Sequence, residues 1–306
     1  MITIGFDTSN YTTSIAYYDG ESGTNSSKLL PVKLGELGLR QSDTVFHHTK
    51  SLPELSDRLF SNVNIGSVTA IGVSTRPRAV EGSYMPCFMV GYSHAKLLSD
   101  ALHVPLIEAS HQQGHVAAAL WGAGRMDLMD KPHLAWHLSG GTTELLHIEP
   151  VDNNFVCTKI GGTTDISAGQ LIDRTGQLLN LPFPSGKHLD TLSSGAINKD
   201  VFKVKCANSE FSLSGVQNKV QEYHKQNNDI ETAAYTLRCV ASAVYRATEQ
   251  ALEKYPDLPV VFSGGVASNA LLRNMVAPLN PVFAPPEFST DNAMGIAILA
   301  HRKMEA

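Results

Sequence analysis

The chain has no closely spaced cysteine pair. Its 4 cysteines, Cys87, Cys157, Cys206 and Cys239, are scattered and none forms CxxC. That excludes a disulfide framework or a thiolate metal knot as the organising principle and predicts reduced, mostly buried thiols. Long apolar runs are also missing, since no segment approaches the ~20 residues of a membrane helix. The opening MITIGFDTSNYTTS lacks the basic region and apolar stretch of a secretory signal, so a soluble, cytoplasmic protein is expected. Positive charge is not in excess either: 24 Lys and Arg face 29 Asp and Glu, for a net charge of -5. The whole surface is therefore no magnet for nucleic acid, and an RNA contact would need a local basic patch or a partner subunit.

What is present fits two lobes of roughly 150 residues each. The chain has 306 residues, of which 42% are hydrophobic. The expected division is 1–127 and 128–289, with a C-terminal helix at 290–306 packing back on the first lobe. Ile2–Asp7 reads as a buried strand, Thr8–Tyr11 as a polar turn and Thr12–Tyr18 as a return strand. The same plan recurs at Leu134–Ile148, with the turn at Ser139-Gly140-Gly141-Thr142. Two strand–turn–strand units, each opening half of the chain, suggest a duplicated architecture. Helices are expected over Pro86–Leu102, Ile166–Leu181, Glu231–Tyr255 and from about Asp291 to Lys303, the last with Thr290 as N-cap. Pro259–Phe262 reads as a further buried strand, and Gly20–Ser42 as an exposed loop.

Four segments can carry chemistry. In Ser110-His111-Gln112-Gln113-Gly114-His115 the histidines are four apart, one above the other on a helix, where two imidazoles can grip one cation. The metalloprotease motif HExxH has this spacing, but Gln112 replaces its glutamate base, which argues against proteolysis. The bland alternative is a pair of helix histidines bonded to backbone or water. The Gly-rich turns Ser139–Thr142 and Ser263–Val266 follow buried strands, and exposed amides there can bind phosphate. Each can equally be a plain tight turn. Asp173 is either a solvated helix acid or an acceptor for ribose hydroxyls, with Pro184-Ser185-Gly186 as a turn under the sugar. Asp291 reads locally as no more than an acid favoured by a helix dipole.

Taken in order, DTSNYTTS, SHQQGH, LSGGTTE, DISAGQLIDR, FPSG, FSLSG, SGGVASNALLR and FSTDNAMGIA resemble the TsaD/YgjD group, formerly called O-sialoglycoprotein endopeptidases. The resemblance runs from Ile2 to about Ala300. It implies an α/β fold of the ASKHA class (actin- and hexokinase-like), two-lobed and duplicated, with an interlobe nucleotide and metal cleft. It also implies transfer of a threonylcarbamoyl group from threonylcarbamoyl-adenylate to the tRNA adenosine beside the anticodon. The matching motifs carry metal ligation onto His111, His115 and Asp291, for one divalent ion, Fe(II) or Zn. Phosphate-side contacts pass to His137, Leu138, Ser139, Gly140 and Gly141, ribose contacts to Asp173 and Gly186, and a base or ribose contact to Asn269. Implied partners are an adenine nucleotide or acyl-adenylate, tRNA through partner subunits, and TsaB-like and TsaE-like proteins or a second copy.

Four departures stand out. The usual PELASRxH segment appears only as Arg40-Gln41-Ser42-Asp43 and the residues after it, with His47 and His48 nearby. The family opening ETSCDET is Asp7–Thr13 here, the Gly-Pro-Gly loop is Arg76-Pro77-Arg78, and the glutamate of the family's AAGEAFDK is Gln170. The alternative readings are a non-catalytic nucleotide-binding subunit of the same fold or a paralogue serving a different acceptor.

Overall fold

The computed structural model describes residues 1–31, 39–61, 63–289 and 291–305. By internal contacts it divides into two units: Met1–Lys131, Glu149–Cys157 and Asp291–Ala306, and Pro132–Ile148 with Thr158–Thr290.

The first unit opens with β1 (Ile2–Thr8) and β2 (Thr12–Tyr18), an antiparallel pair whose side chains are buried almost throughout. β3 (Gly23–Leu29) continues the meander along β2. This corrects the expected loop over Gly20–Ser42. GTNSSKL is too polar to announce a strand, and it serves as the solvent-side edge of the sheet, where exposed positions are tolerated. Residues 32–38 of that loop lie outside the described residues. Helix α1 (Gln41–Phe60) and β4 (Val68–Arg76) follow, then α2 (Phe88–Leu102), β5 (Leu106–Ser110) and α3 (His111–Gly122). The sheet order is β3-β2-β1-β4-β5, with β1, β4 and β5 parallel. Ile4, Phe6, Ile15, Leu52, Leu55 and Ile71 form its core between sheet and helices.

The second unit, which begins at Pro132 and leaves Glu149–Cys157 to the first, repeats the opening. β6 (His133–Leu138) pairs antiparallel with β7 (Thr143–Val151), and β8 (Asn154–Thr163) returns along it. Helices α4 (Ala168–Leu178) and α5 (Gly186–Ser193), the short strands β9 (Cys206–Ala207) and β10 (Glu210–Phe211), and α6 (Ser214–His224) lead to the long α7 (Asp229–Lys254). β11 (Val260–Ser263), α8 (Ala270–Val276), β12 (Val282–Phe283) and α9 (Pro286–Ser289) complete it. β11 runs parallel to β6, as β4 does to β1. The small residues of α7 (Ala241, Ala243, Val244, Ala247) let it lie close on the sheet, and Trp136 is wholly buried beneath it, donating Nε1–H to Thr248 Oγ1 at 2.9 Å.

The chain then re-enters the first unit with α10 (Met294–Met304). The helix begins three residues after Asp291, later than expected, because the Asn292 side chain accepts from Met294 N at 3.1 Å and turns the chain just ahead of it. Thr290 lies outside the described residues.

Candidate functional site

The C-terminal ends of β1 and β5 and the residues preceding α10 meet within the first unit. There the structure brings His111, His115 and Asp291 together. Their donor atoms lie within 4.8 Å of one another. Ser110 caps α3, accepting from Gln113 N while the Gln113 side chain returns to the Ser110 backbone, so the helix starts abruptly at His111. His111 and His115 then stand one turn apart. Asp291 reaches them because α10 lies against α3 with no side chain between: a Cβ on Gly295 would fall 1.8 Å from the Gly114 carbonyl oxygen. The glycines of SHQQGH and DNAMG are thus what lets the two ligand-bearing segments approach.

The distances fit a cation. Nε2 of His115 lies 3.0 Å from Nε2 of His111 and 3.1 Å from Asp291 Oδ1, and His111 Nε2 is 3.6 Å from that oxygen. A tetrahedral ion with bonds of about 2.0–2.1 Å spaces its ligand atoms about 3.3 Å apart. The groups behind the donors fit as well. Asp7 Oδ2 lies 2.6 Å from His111 Nδ1. A carboxylate only accepts, so Nδ1 carries a proton, which leaves Nε2 as the nitrogen that a cation would take. Ser9 Oγ donates to Asp291 Oδ2 at 2.9 Å. Asp7 Oδ1 is buried without a hydrogen-bond partner among the described residues, an unmet acceptor that a further positive charge would suit. Burial disfavours the charged His111 ring, yet the Asp7 and Asp291 carboxylates outweigh it and push its pKa up to about 10. Burial likewise opposes ionisation of Asp291, and the hydrogen bonds from His111 and His115 overcome it, holding its carboxyl well below the ordinary range. A cation bound at Nε2 would take the place of the second proton of this ring, which two carboxylates now stabilise.

Asp7 and Ser9 emerge only here, since a strand-end Asp and a turn Ser carry no local signal of orienting ligands more than 100 residues away. Arg76-Pro77-Arg78 is anchored beside the same helix: Pro77 O accepts from Gln112 N at 3.0 Å, and Arg78 N donates to Ser83 Oγ at 3.0 Å.

The second unit contains a pocket of about 540 Å³ that gathers Gly140, Asp173, Gly186 and Asn269, and adds Lys187 and Asp190. His137, Leu138, Ser139 and Gly141 are not among its lining residues. His137 and Leu138 are buried in β6, and Ser139 Oγ accepts from Thr142 N to close the turn. At Gly140, Gly186 and Gly265 a Cβ would meet open space, so the pocket floor is bare backbone. Asp173 Oδ1 accepts from Ser185 N at 2.8 Å. Burial raises the Asp173 carboxyl, and that hydrogen bond opposes the rise. Asn269 caps α8 through Leu272 N and donates Nδ2–H to Asp190 Oδ1 at 2.7 Å. Gln170 is no loss to the fold: it completes a capping box with Ser167 at the start of α4. Gly169 brings that helix onto the Ser139–Gly140 turn, where a Cβ would lie 2.5 Å from Gly140 Cα.

Comparison with known proteins adds three findings. The sequence model of the family described as "TsaD: tRNA N6-adenosine threonylcarbamoyltransferase" matches residues 40–298. The tRNA N6-adenosine threonylcarbamoyltransferase of Thermosipho africanus is 31% identical, covering 99% of this chain and 94% of that protein. That of Lacticaseibacillus casei is 29% identical over 83% and 77%. Among solved structures, HypF from T. kodakarensis superposes with a TM-score of 0.63 at 14% identity over 99% of this chain, which spans only 48% of HypF. A ROK hexokinase from Thermus thermophilus gives 0.54 at 14% identity, with 100% and 99% covered. These likenesses place the fold in the ASKHA class.

Proposed function

The chain belongs to the TsaD family, and from that premise we propose that it transfers a threonylcarbamoyl group from an acyl-adenylate to the exocyclic amine of a tRNA adenosine beside the anticodon, using a divalent cation held by His111, His115 and Asp291. The convergence of three donors spaced for one ion, with Asp7 and Ser9 orienting them from behind, carries this reading.

In this reading the pocket of the second unit takes the nucleoside part of the donor. The bare backbone at Gly140 and Gly186 admits it closely, and the Asp173 carboxylate accepts from a ribose hydroxyl with the oxygen that Ser185 leaves available. Asn269, which caps α8 and holds Asp190, keeps one amide hydrogen for the ligand. In the first unit, Asp7 keeps the proton of His111 on Nδ1, and Ser9 holds Asp291. A bound cation supplies Lewis-acid polarisation of a phosphoryl or carbonyl oxygen. The amine nitrogen bonds to the carbamoyl carbon, the bond from that carbon to the adenylate oxygen breaks, AMP leaves with the electron pair, and the amine proton passes to solvent. With a net charge of -5, tRNA is approached through partner subunits, TsaB-like and TsaE-like proteins or a second copy.

Expression in a cell stripped of its own transferase tests the proposal: threonylcarbamoyladenosine should return to its tRNA, and should fail to return with His115→Ala. A second reading, transfer to a different acceptor, is favoured by the two arginines of Arg76-Pro77-Arg78. A metal-loaded protein that consumes the adenylate while the tRNA stays unmodified would decide for it.

A further inference from the structure

His48 lies in the middle of α1, its imidazole wholly inaccessible to solvent, and the chemistry above makes no use of it. A buried ring of this kind is costly unless both nitrogens are satisfied. Nε2 lies 2.7 Å from the Ser9 carbonyl oxygen, which only accepts, so Nε2 carries the proton. Thr13 Oγ1, 2.8 Å from Nδ1, therefore donates to it. One tautomer of a neutral imidazole is fixed by its neighbours. The Ser9 residue held in this way by its carbonyl uses its own hydroxyl to donate to Asp291 Oδ2. On the same face of α1, seven residues earlier, Gln41 donates Nε2–H to Asn10 Oδ1 at 2.7 Å. The helix thus grips the turn after β1 at two successive residues.

We propose that His48 is a positioning residue of the metal centre: it fixes the Ser9 backbone, and through the Ser9 hydroxyl it fixes the carboxylate of Asp291. This rests on the metal reading above and extends it to a side chain that touches neither cation nor substrate. The path is Thr13 hydroxyl, His48 ring, Ser9 carbonyl, Ser9 hydroxyl, Asp291. A hydrocarbon at position 48 can fill the space but leaves the Ser9 carbonyl without its donor and the turn with only its Gln41–Asn10 anchor.

The test is titration of the full chain, stripped by chelation, with Co2+, whose visible spectrum reports affinity and coordination together. His48→Leu is expected to bind about tenfold more weakly, in line with orienting groups at other metal sites, with an altered spectrum. His48→Gln keeps an amide donor for the Ser9 carbonyl and should recover most of the affinity. Ser9→Ala should weaken binding similarly, and His48→Leu with Ser9→Ala should bind no worse than Ser9→Ala alone, because both act through one contact. If His48→Leu does not fold, Thr13→Val with Ser9→Ala gives the same cycle. Additive losses, or a lowered melting temperature with unchanged Co2+ affinity, overturn the proposal by leaving His48 only a packing role. A wild-type chain that binds no Co2+ overturns the metal reading and this one with it.

Discussion

In the proposed reading, Asp7 and His48 are single residues that set the chemistry of a centre to which they contribute no ligand. Asp7 accepts from His111 Nδ1 at 2.6 Å, so Asp7→Asn replaces a carboxylate by a neutral amide and weakens the preference for one tautomer. Co2+ affinity should fall about 10–100-fold while the far-ultraviolet circular dichroism stays unchanged. His48 predicts a pH dependence. Burial pulls its pKa from 6.5 down to about 4, with the Ser9 carbonyl and the Asp7 charge opposing and His47 reinforcing. The unfolded chain therefore takes up this proton before the folded one does. The contribution is fully present above about 6.5, is lost as pH falls toward about 4, and amounts to about 3 kcal/mol. Urea unfolding of chelated protein between those limits should show a slope in the wild type that His48→Gln removes.

At the scale of elements, the contact of α10 with α3 governs the site. Gly295→Ala would set a methyl group against the Gly114 carbonyl. It should destabilise the chain by about 3 kcal/mol and weaken Co2+ binding in the same variant, because Asp291 moves with α10. Gly215→Ala, where the added carbon meets open space, should leave both unchanged by the same unfolding and titration measurements. These elements also show what was legible beforehand. The β1–β2 and β6–β7 pairs could be read because runs such as LAWHL, bounded by Ser/Gly turns, have few other fates. β3 could not, because a polar edge strand follows no burial pattern. The histidine spacing was visible, but its meaning depends on Asp291, 176 residues from His115, and on Asp7 and Ser9, which only packing brings near. Family resemblance supplied Asp291. No periodicity would have done so. Gln170, which reads as a lost acid, turns out to complete a cap for which an amide serves as well as a carboxylate.

For the whole molecule, the proposed reading gives the two units separable binding tasks. Ligands that bind only the folded state stabilise it by about 2.7 kcal/mol at a hundred times their dissociation constant. AMP and Co2+ should each raise the melting temperature, measured by calorimetry. Gly186→Val, whose side chain enters the open pocket floor, should abolish the AMP shift and keep the Co2+ shift, whereas His115→Ala should do the reverse. Among the described residues no helix is long and apolar enough to cross a membrane.

The joining of His115 to Asp291 also sets a timetable. Ribosomes add about 5–20 residues per second, so the 176 residues from Val116 to Asp291 take about 9–35 s to make. For that interval the nascent chain holds its imidazoles without their carboxylate. The second unit is translated in the gap, ahead of the segment that completes the first. On the proposed metal reading, loading of the cation is accordingly a late event in the life of each molecule, following the synthesis of the pocket in the second unit.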